Sequence, residues 1–359
     1  MQDRRFPASS GQGTVETACC PHTRDDVWAV PCARWKLGLM IHESPPGANL
    51  WRTDQLLASG SNSRAIARLV QEGKLVRLRR GCYARGDWWR SLNATARRRQ
   101  LIFAHSLGTL TTSAGRFAYS HVSGASLHGL QLWKVDDRVH LTREGSPSAV
   151  THGRDVIAHT RPLGSRELCF VDGLPCTSLE RTVVDCSLMF TVQQAVILVD
   201  HAARMGADLG LLRSQCSDLI GRNGVVALRR ALELADPRSE SAGESLTREL
   251  LHRLRITPPE LQYQVRSPFG EHRLDFAWPE RRVALEFDGK TKYFDYRPTG
   301  DVLFAERRRE KALMEQGWTF LRIEWKDLFN EVEFKYRVLA ALNLGAGAGA
   351  SPLRRFRAG

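Results

Sequence analysis

Arg273-Leu274-Asp275-Phe276-Ala277-Trp278, Pro279-Glu280-Arg281-Arg282 and Val283-Ala284-Leu285-Glu286-Phe287-Asp288 follow one another in this chain of 359 residues. The outer runs read as strands and the middle four residues as a turn. With Trp278 paired to Val283, the antiparallel register sets Asp275 opposite Glu286. Side chains so placed have Cβ atoms roughly 4.5–5.5 Å apart. Facing carboxylates repel each other, so a chain that keeps the pair is expected to hold a cation between them. Val283, Leu285 and Phe287 share one face of their strand; Glu286 and Asp288 share the other. Three acids, Asp275, Glu286 and Asp288, are thus expected on one side of a sheet as metal ligands. Lys290 and Lys292 lie just beyond. Hard oxygen ligands suit Mg²⁺ (or Mn²⁺), which polarises phosphate and acidifies bound water. A lysine there orients the nucleophile or offsets developing charge.

The flanks extend the pattern. Ser241-Ala242-Gly243-Glu244 fits a capping box that opens a helix with Leu246, Leu250, Leu251 and Leu254 on its buried stripe. Gln262-Tyr263-Gln264-Val265 reads as a strand, a later helix ends near Gly317, and Trp318 to Ile323 reads as another strand. Helix, three strands, helix, strand is an α/β arrangement. Its spacing resembles the restriction-endonuclease-like PD-(D/E)xK superfamily, in particular very-short-patch-repair-like proteins. The matching residues are Glu244, Asp275-Phe276, Glu286 to Tyr293, Glu306 to Leu313, and Gly317-Trp318 to Trp325. The resemblance implies a Mg²⁺-dependent endodeoxyribonuclease with Asp275, Glu286, Lys290, Lys292 and Glu244 as catalytic residues, and Arg307 and Glu310 as supporting ones. One departure stands out. The superfamily lysine normally follows the acid by two residues, and position 288 is Asp.

Nearer the start, Asp54 to Ala58 reads as a short helix closed by Ser59-Gly60. Ser61 or Ser63 is expected to cap a second helix that runs through Gln71, with Ile66, Leu69 and Val70 on its apolar side. Gly73 ends it. Lys74 to Tyr83 alternates apolar and basic residues around Gly81, as a hairpin does. This is the layout of a winged helix-turn-helix. Residues 61–90 hold eight basic side chains against two acidic ones. Arg64 and Arg68 lie on one helix face and suit a major groove, while Lys74, Arg77, Arg79 and Arg80 suit phosphate. The run Ser63 to Tyr83 resembles the N-terminal winged helix of abortive-infection type IV antitoxins. That resemblance implies promoter binding and repression of the protein's own operon. Ser120 to Leu130 and Gly173 to Asp185 resemble the second domain of the same family. There Thr177 or Ser178 caps a helix, and Arg181 and Asp185 fall four residues apart as an ion pair. His121 and His128 are expected to be structural.

Composition bounds the rest. Apolar residues make up 42%, and net charge is +13 with pI near 9.7, so a polyanionic partner is the first expectation. No apolar run spans a membrane and no signal core opens the chain, which points to a cytoplasmic protein. The eight cysteines contain no Cys-x-x-Cys pair, so neither a zinc ribbon nor a disulfide framework is expected. Cys19, Cys20, His22 and Cys32 are a weak metal-ligand set.

The expected architecture is a multidomain α+β and α/β chain. Its parts are an N-terminal extension at 1–45, a winged helix at 46–92, an antitoxin-like α+β domain at 93–236, a restriction-endonuclease-like domain at 237–343, and a basic tail at 344–359. The expected function is DNA binding with metal-dependent phosphodiester cleavage, in phage defence or repair. The alternative is a non-catalytic transcriptional regulator or antitoxin. Expected partners are DNA and a cognate toxin or other protein, with a homodimer in view.

Overall fold

The computed structural model describes residues 49–109, 117–143, 154–289 and 300–348. The chain is a mixed α+β protein with three sheets among the described residues. The first part opens with β1 (Leu50–Arg52), α1 (Thr53–Ala58), α2 (Ser63–Gln71), β2 (Leu75–Arg79) and β3 (Cys82–Arg85), whose strands pair in the order β1-β3-β2. The cap of α2 is neither Ser61 nor Ser63. Asn62 takes that place, and its side chain accepts the Ala65 amide at 2.9 Å, because an amide oxygen reaches the third residue on as well as a hydroxyl does. Gly73 and Gly81, at φ +68° and +80°, make the turns that bracket β2. Next come α3 (Gly86–Ser91) and α4 (Ala94–Thr109).

The second sheet contains β4 (Phe117–Tyr119), β5 (Val139–Arg143), β6 (Val156–Thr160), β7 (Leu168–Val171) and β8 (Leu174–Thr177), with α5 (His121–Leu127) after β4. Its order is β6-β5-β4-β8-β7. Pairs β4–β5 and β7–β8 are antiparallel, whereas β5–β6 and β4–β8 are parallel. Leu50, Cys82 and Ala84 of the first sheet share one core with Phe103 of α4 and with Phe117, Tyr119 and Leu141 of the second. A helical layer follows: α6 (Leu179–Ser187), α7 (Val192–Arg204), α8 (Leu209–Asp218) and α9 (Val225–Leu234). Ser178 caps α6 by accepting the Arg181 amide. The expected Arg181–Asp185 pair forms at 3.0 Å in a buried setting, where Arg181 also meets Glu167 at 2.7 Å.

The last part runs α10 (Ala242–Arg253), β9 (Glu260–Ser267), β10 (Gly270–Trp278), β11 (Val283–Phe287), α11 (Gly300–Glu315), β12 (Thr319–Ile323) and α12 (Glu331–Ala348). The sheet order is β12-β11-β10-β9, with β11 and β12 parallel and the other pairs antiparallel. Leu246 and Leu250 of α10 and Phe334 and Val338 of α12 cover one face, over Phe276, Val283, Leu285 and Ile323. Leu313 and Trp318 cover the other, over Leu274, Ala277 and Ala284. Leu274 and Phe276 are two residues apart yet belong to opposite faces. The alternation breaks at Asp275, opposite Gln262, whose φ is +52°. These two are absent from a ladder that otherwise pairs Tyr263 with Leu274 and Leu261 with Phe276.

Candidate functional site

Two surfaces carry the expected site residues. On the first, α2 buries Ile66 and turns Arg64 and Arg68 outward, with Lys74, Arg77 and Arg80 exposed nearby on and around the hairpin. Glu72 sits among them. Its carboxylate meets Lys74 at 2.8 Å and Arg68 at 3.5 Å, and these cations hold it below the usual glutamate range, Lys74 most strongly. Arg79 departs from the expectation. Its side chain is only 20% exposed and faces Asp155, beside β6, at 3.6 Å. A β-bulge between Arg77 and Arg79 turns it from the exposed row toward the second sheet.

The second surface is the β10–β11 hairpin. Trp278 pairs with Val283 and Phe276 with Leu285, so one further step along the register sets Asp275 beside Glu286. Asp275 Oδ2 accepts the Phe287 amide at 3.0 Å. Glu286 lies opposite Arg322 of β12, 3.7 Å from its Nε. The same guanidinium holds Glu310 of α11 at 2.8 Å. Asp288 follows the strand directly, its amide donating to the Ile323 carbonyl at 2.8 Å. Arg307 is exposed on α11. Lys290 and Lys292 lie outside the described residues, as do Cys19, Cys20, His22 and Cys32.

Glu244, expected both in the cap of its helix and among the catalytic residues, sits in a local hydrogen-bond set. Its Oε1 accepts the Ser241 hydroxyl at 2.8 Å. Its Oε2 accepts the Glu240 amide and the Gln262 Nε2, each at 2.9 Å. Ser241 caps α10 by accepting the Glu244 amide at 3.2 Å, but the Glu244 carboxylate returns to the Glu240 amide and not to that of Ser241, so the expected capping box forms only by half. Gln262 was missed by sequence reasoning, because a glutamine in a strand carries no signal. It sits opposite Asp275, and its Oε1 is buried with no hydrogen-bond partner.

A third polar cluster lies beneath the second sheet. His121 stacks on His159 at 3.6 Å, and His159 Nε2 lies 3.1 Å from His140 Nδ1. Burial, then the neighbouring histidines, push His121 down to about 2. Burial, then His140 and Arg161, push His159 down to about 4. His121 and His128 do not act as a pair, since α5 ends at Leu127 and His128 turns to the Thr177 carbonyl at 2.8 Å.

Residues 52–86 match a family model described as "Transcriptional regulator, AbiEi antitoxin". The match covers α1, α2 and the β2–β3 hairpin. Similar proteins include uncharacterized proteins MT2308 and Rv2248 from two strains of Mycobacterium tuberculosis. Each is 28% identical over 264 residues, which span 73% of this chain and 90% of theirs. A crystal structure of the RV2827C protein from Mycobacterium tuberculosis is similar at 17% identity and a TM-score of 0.33, over 61% of this chain and 84% of that one. Among the described residues, no helix is long and apolar enough to cross a membrane.

Proposed function

We propose that this chain is a DNA-binding transcriptional regulator of the antitoxin type, with α1, α2 and the β2–β3 hairpin acting as a winged helix-turn-helix. One observation carries the reading: the segment that matches the antitoxin regulator model is the segment whose exposed face presents Arg64, Arg68, Lys74, Arg77 and Arg80. Arg64 and Arg68 enter the major groove, and the hairpin cations grip phosphate. A toxin encoded beside it belongs to the same reading as a protein partner. The test is fluorescence anisotropy on DNA from upstream of the chain's own gene, across a salt series. Arg64→Ala/Arg68→Ala is expected to weaken binding at least tenfold, at roughly 1–3 kcal/mol per lost base contact. Unchanged affinity and salt slope would sink the reading.

A second reading rests on the C-terminal sheet. Continued by one step, the register brings Asp275 beside Glu286 and opposite Gln262, whose Oε1 has no hydrogen-bond partner, and these hard oxygens are of the kind that would suit Mg²⁺ or Mn²⁺. A bound ion would polarise a phosphodiester and acidify its water. The protein's share is positional: the Phe287 amide fixes the Asp275 carboxylate, and Arg322 fixes Glu286. Lys290 or Lys292 would supply the positive charge that position 288 lacks. Supercoiled plasmid with Mg²⁺, Mn²⁺ or EDTA, beside an Asp275→Ala/Glu286→Ala double variant, separates the two readings. Metal-dependent nicking that vanishes in the variant adds a nuclease to the regulator. Bound but intact DNA leaves the regulator alone.

A further inference from the structure

Cys169 and Cys176 are direct partners across the β7–β8 hairpin. His128, at the C-terminal end of α5, reaches the same place, with its Nε2 3.7 Å from the Cys176 sulfur. One ligand atom from each of the three lies within 4.8 Å of the others, a convergence not repeated by any other His, Cys, Asp and Glu trio among the described residues. We propose that His128, Cys169 and Cys176 form a binding site for a thiophilic divalent cation, with zinc as the natural occupant.

The geometry asks for little movement. Zinc holds thiolate at about 2.3 Å and imidazole at about 2.0–2.1 Å, so tetrahedral ligand atoms stand roughly 3.5–3.8 Å apart. Side-chain rotation alone closes the difference. Cys176 is fully buried, whereas Cys169 and His128 are half-buried, so the site has a protein floor and an open approach. Three protein ligands leave a fourth position for water. On binding, each thiol releases its proton to solvent. His128 Nε2, which donates to the Thr177 carbonyl at 2.8 Å, exchanges that bond for the metal, with the imidazole proton carried on Nδ1. A disulfide would use the two sulfurs and leave His128 without a part. The third donor is what favours an ion. Such an ion would tie the β7–β8 hairpin to the end of α5.

The test uses full-length protein, purified under reducing conditions, stripped with chelator and titrated with Co²⁺. The expected result is a thiolate-to-cobalt charge-transfer band that saturates at one equivalent and is bleached by zinc. Cys169→Ser should abolish the band, His128→Gln should weaken binding, and Cys216→Ser, a buried cysteine on α8, should leave the band intact. No band at stoichiometric cobalt overturns the proposal, as does a band that survives in Cys169→Ser. A Cys169–Cys176 disulfide in protein that takes up no metal overturns it in favour of a redox pair. Circular dichroism checks that the variants fold. Should Cys169→Ser not fold, alkylation of the wild type decides: zinc must shield Cys169 and Cys176 from iodoacetamide, and equal labelling with and without zinc overturns the site.

Discussion

Glu72 shows how much one side chain can withhold. It occupies Lys74 and Arg68, two of the cations that the DNA-binding reading needs. Glu72→Gln frees both and removes a charge that repels phosphate, so DNA affinity should rise severalfold and the salt dependence should steepen. Anisotropy at several salt concentrations checks this, and a weaker complex would mean that Glu72 orders the face instead. Glu244 is the opposite case, a carboxylate that holds structure. Glu244→Ala strips three hydrogen bonds and leaves the Gln262 amide without its acceptor, which should cost about 1–3 kcal/mol in urea denaturation. At this scale the sequence was legible wherever local geometry decides. The Ser241 cap of α10, the Arg181–Asp185 pair and the Trp278–Val283 register all follow from short spacings. Arg79 was not legible, because its partner Asp155 is remote in the chain and only the packing of two sheets joins them.

Among the elements, α10 and β11 meet at a point with no spare room. A Cβ on Gly243 would stand 2.0 Å from the Phe287 ring, whereas one on Gly289 would meet the same ring at an ordinary 3.5 Å. Gly243→Ala must therefore push α10 away from the strand that carries Glu286, and should destabilise by about 1–3 kcal/mol. Gly289→Ala should cost much less in the same denaturation experiment. The strands themselves were legible from alternation, but the change of face at Asp275 was not. Alternation assumes an unbroken pleat, and the left-handed backbone of Gln262 interrupts it. The Cys169–Cys176–His128 grouping escaped for a related reason. Six residues separate the two cysteines, too many for a Cys-x-x-Cys pattern, and only the hairpin places them side by side.

Among the described residues, the parts are joined by one buried ion pair and one half-buried aromatic stack. Arg248 of α10 meets the buried Asp200 of α7 at 2.5 Å, and Trp133 stacks on Trp325 and Phe329 beneath the Lys134 ammonium. The buried His121 and His140 and the half-buried His159 are expected to make the fold sensitive to acid. His121, His140 and His159 all have folded values below the ordinary histidine value near 6.5, so folding requires them neutral. Their stabilisation is complete above about pH 6.5 and is lost as pH falls from there, through about 4 for His159 and about 2 for His121. His159→Gln should flatten the fall in urea midpoint over that window, by on the order of 1–2 kcal/mol once solvent screening is allowed for. An unchanged slope would show that other groups control acid unfolding. The mixed α+β character was legible throughout the sequence. The helical layer from α6 to α9 was not resolved into its members, since its helices are defined by burial against one another.

Among the described residues, β9 forms the outer margin of its sheet, pairing with β10 on one side. Such a margin offers a row of peptide groups to any neighbouring molecule, and long regular margins seed aggregation. The left-handed residue at Gln262 breaks that row near its start, so the irregularity that interrupts the pairing beside Asp275 also works against one copy of the protein zipping onto the next.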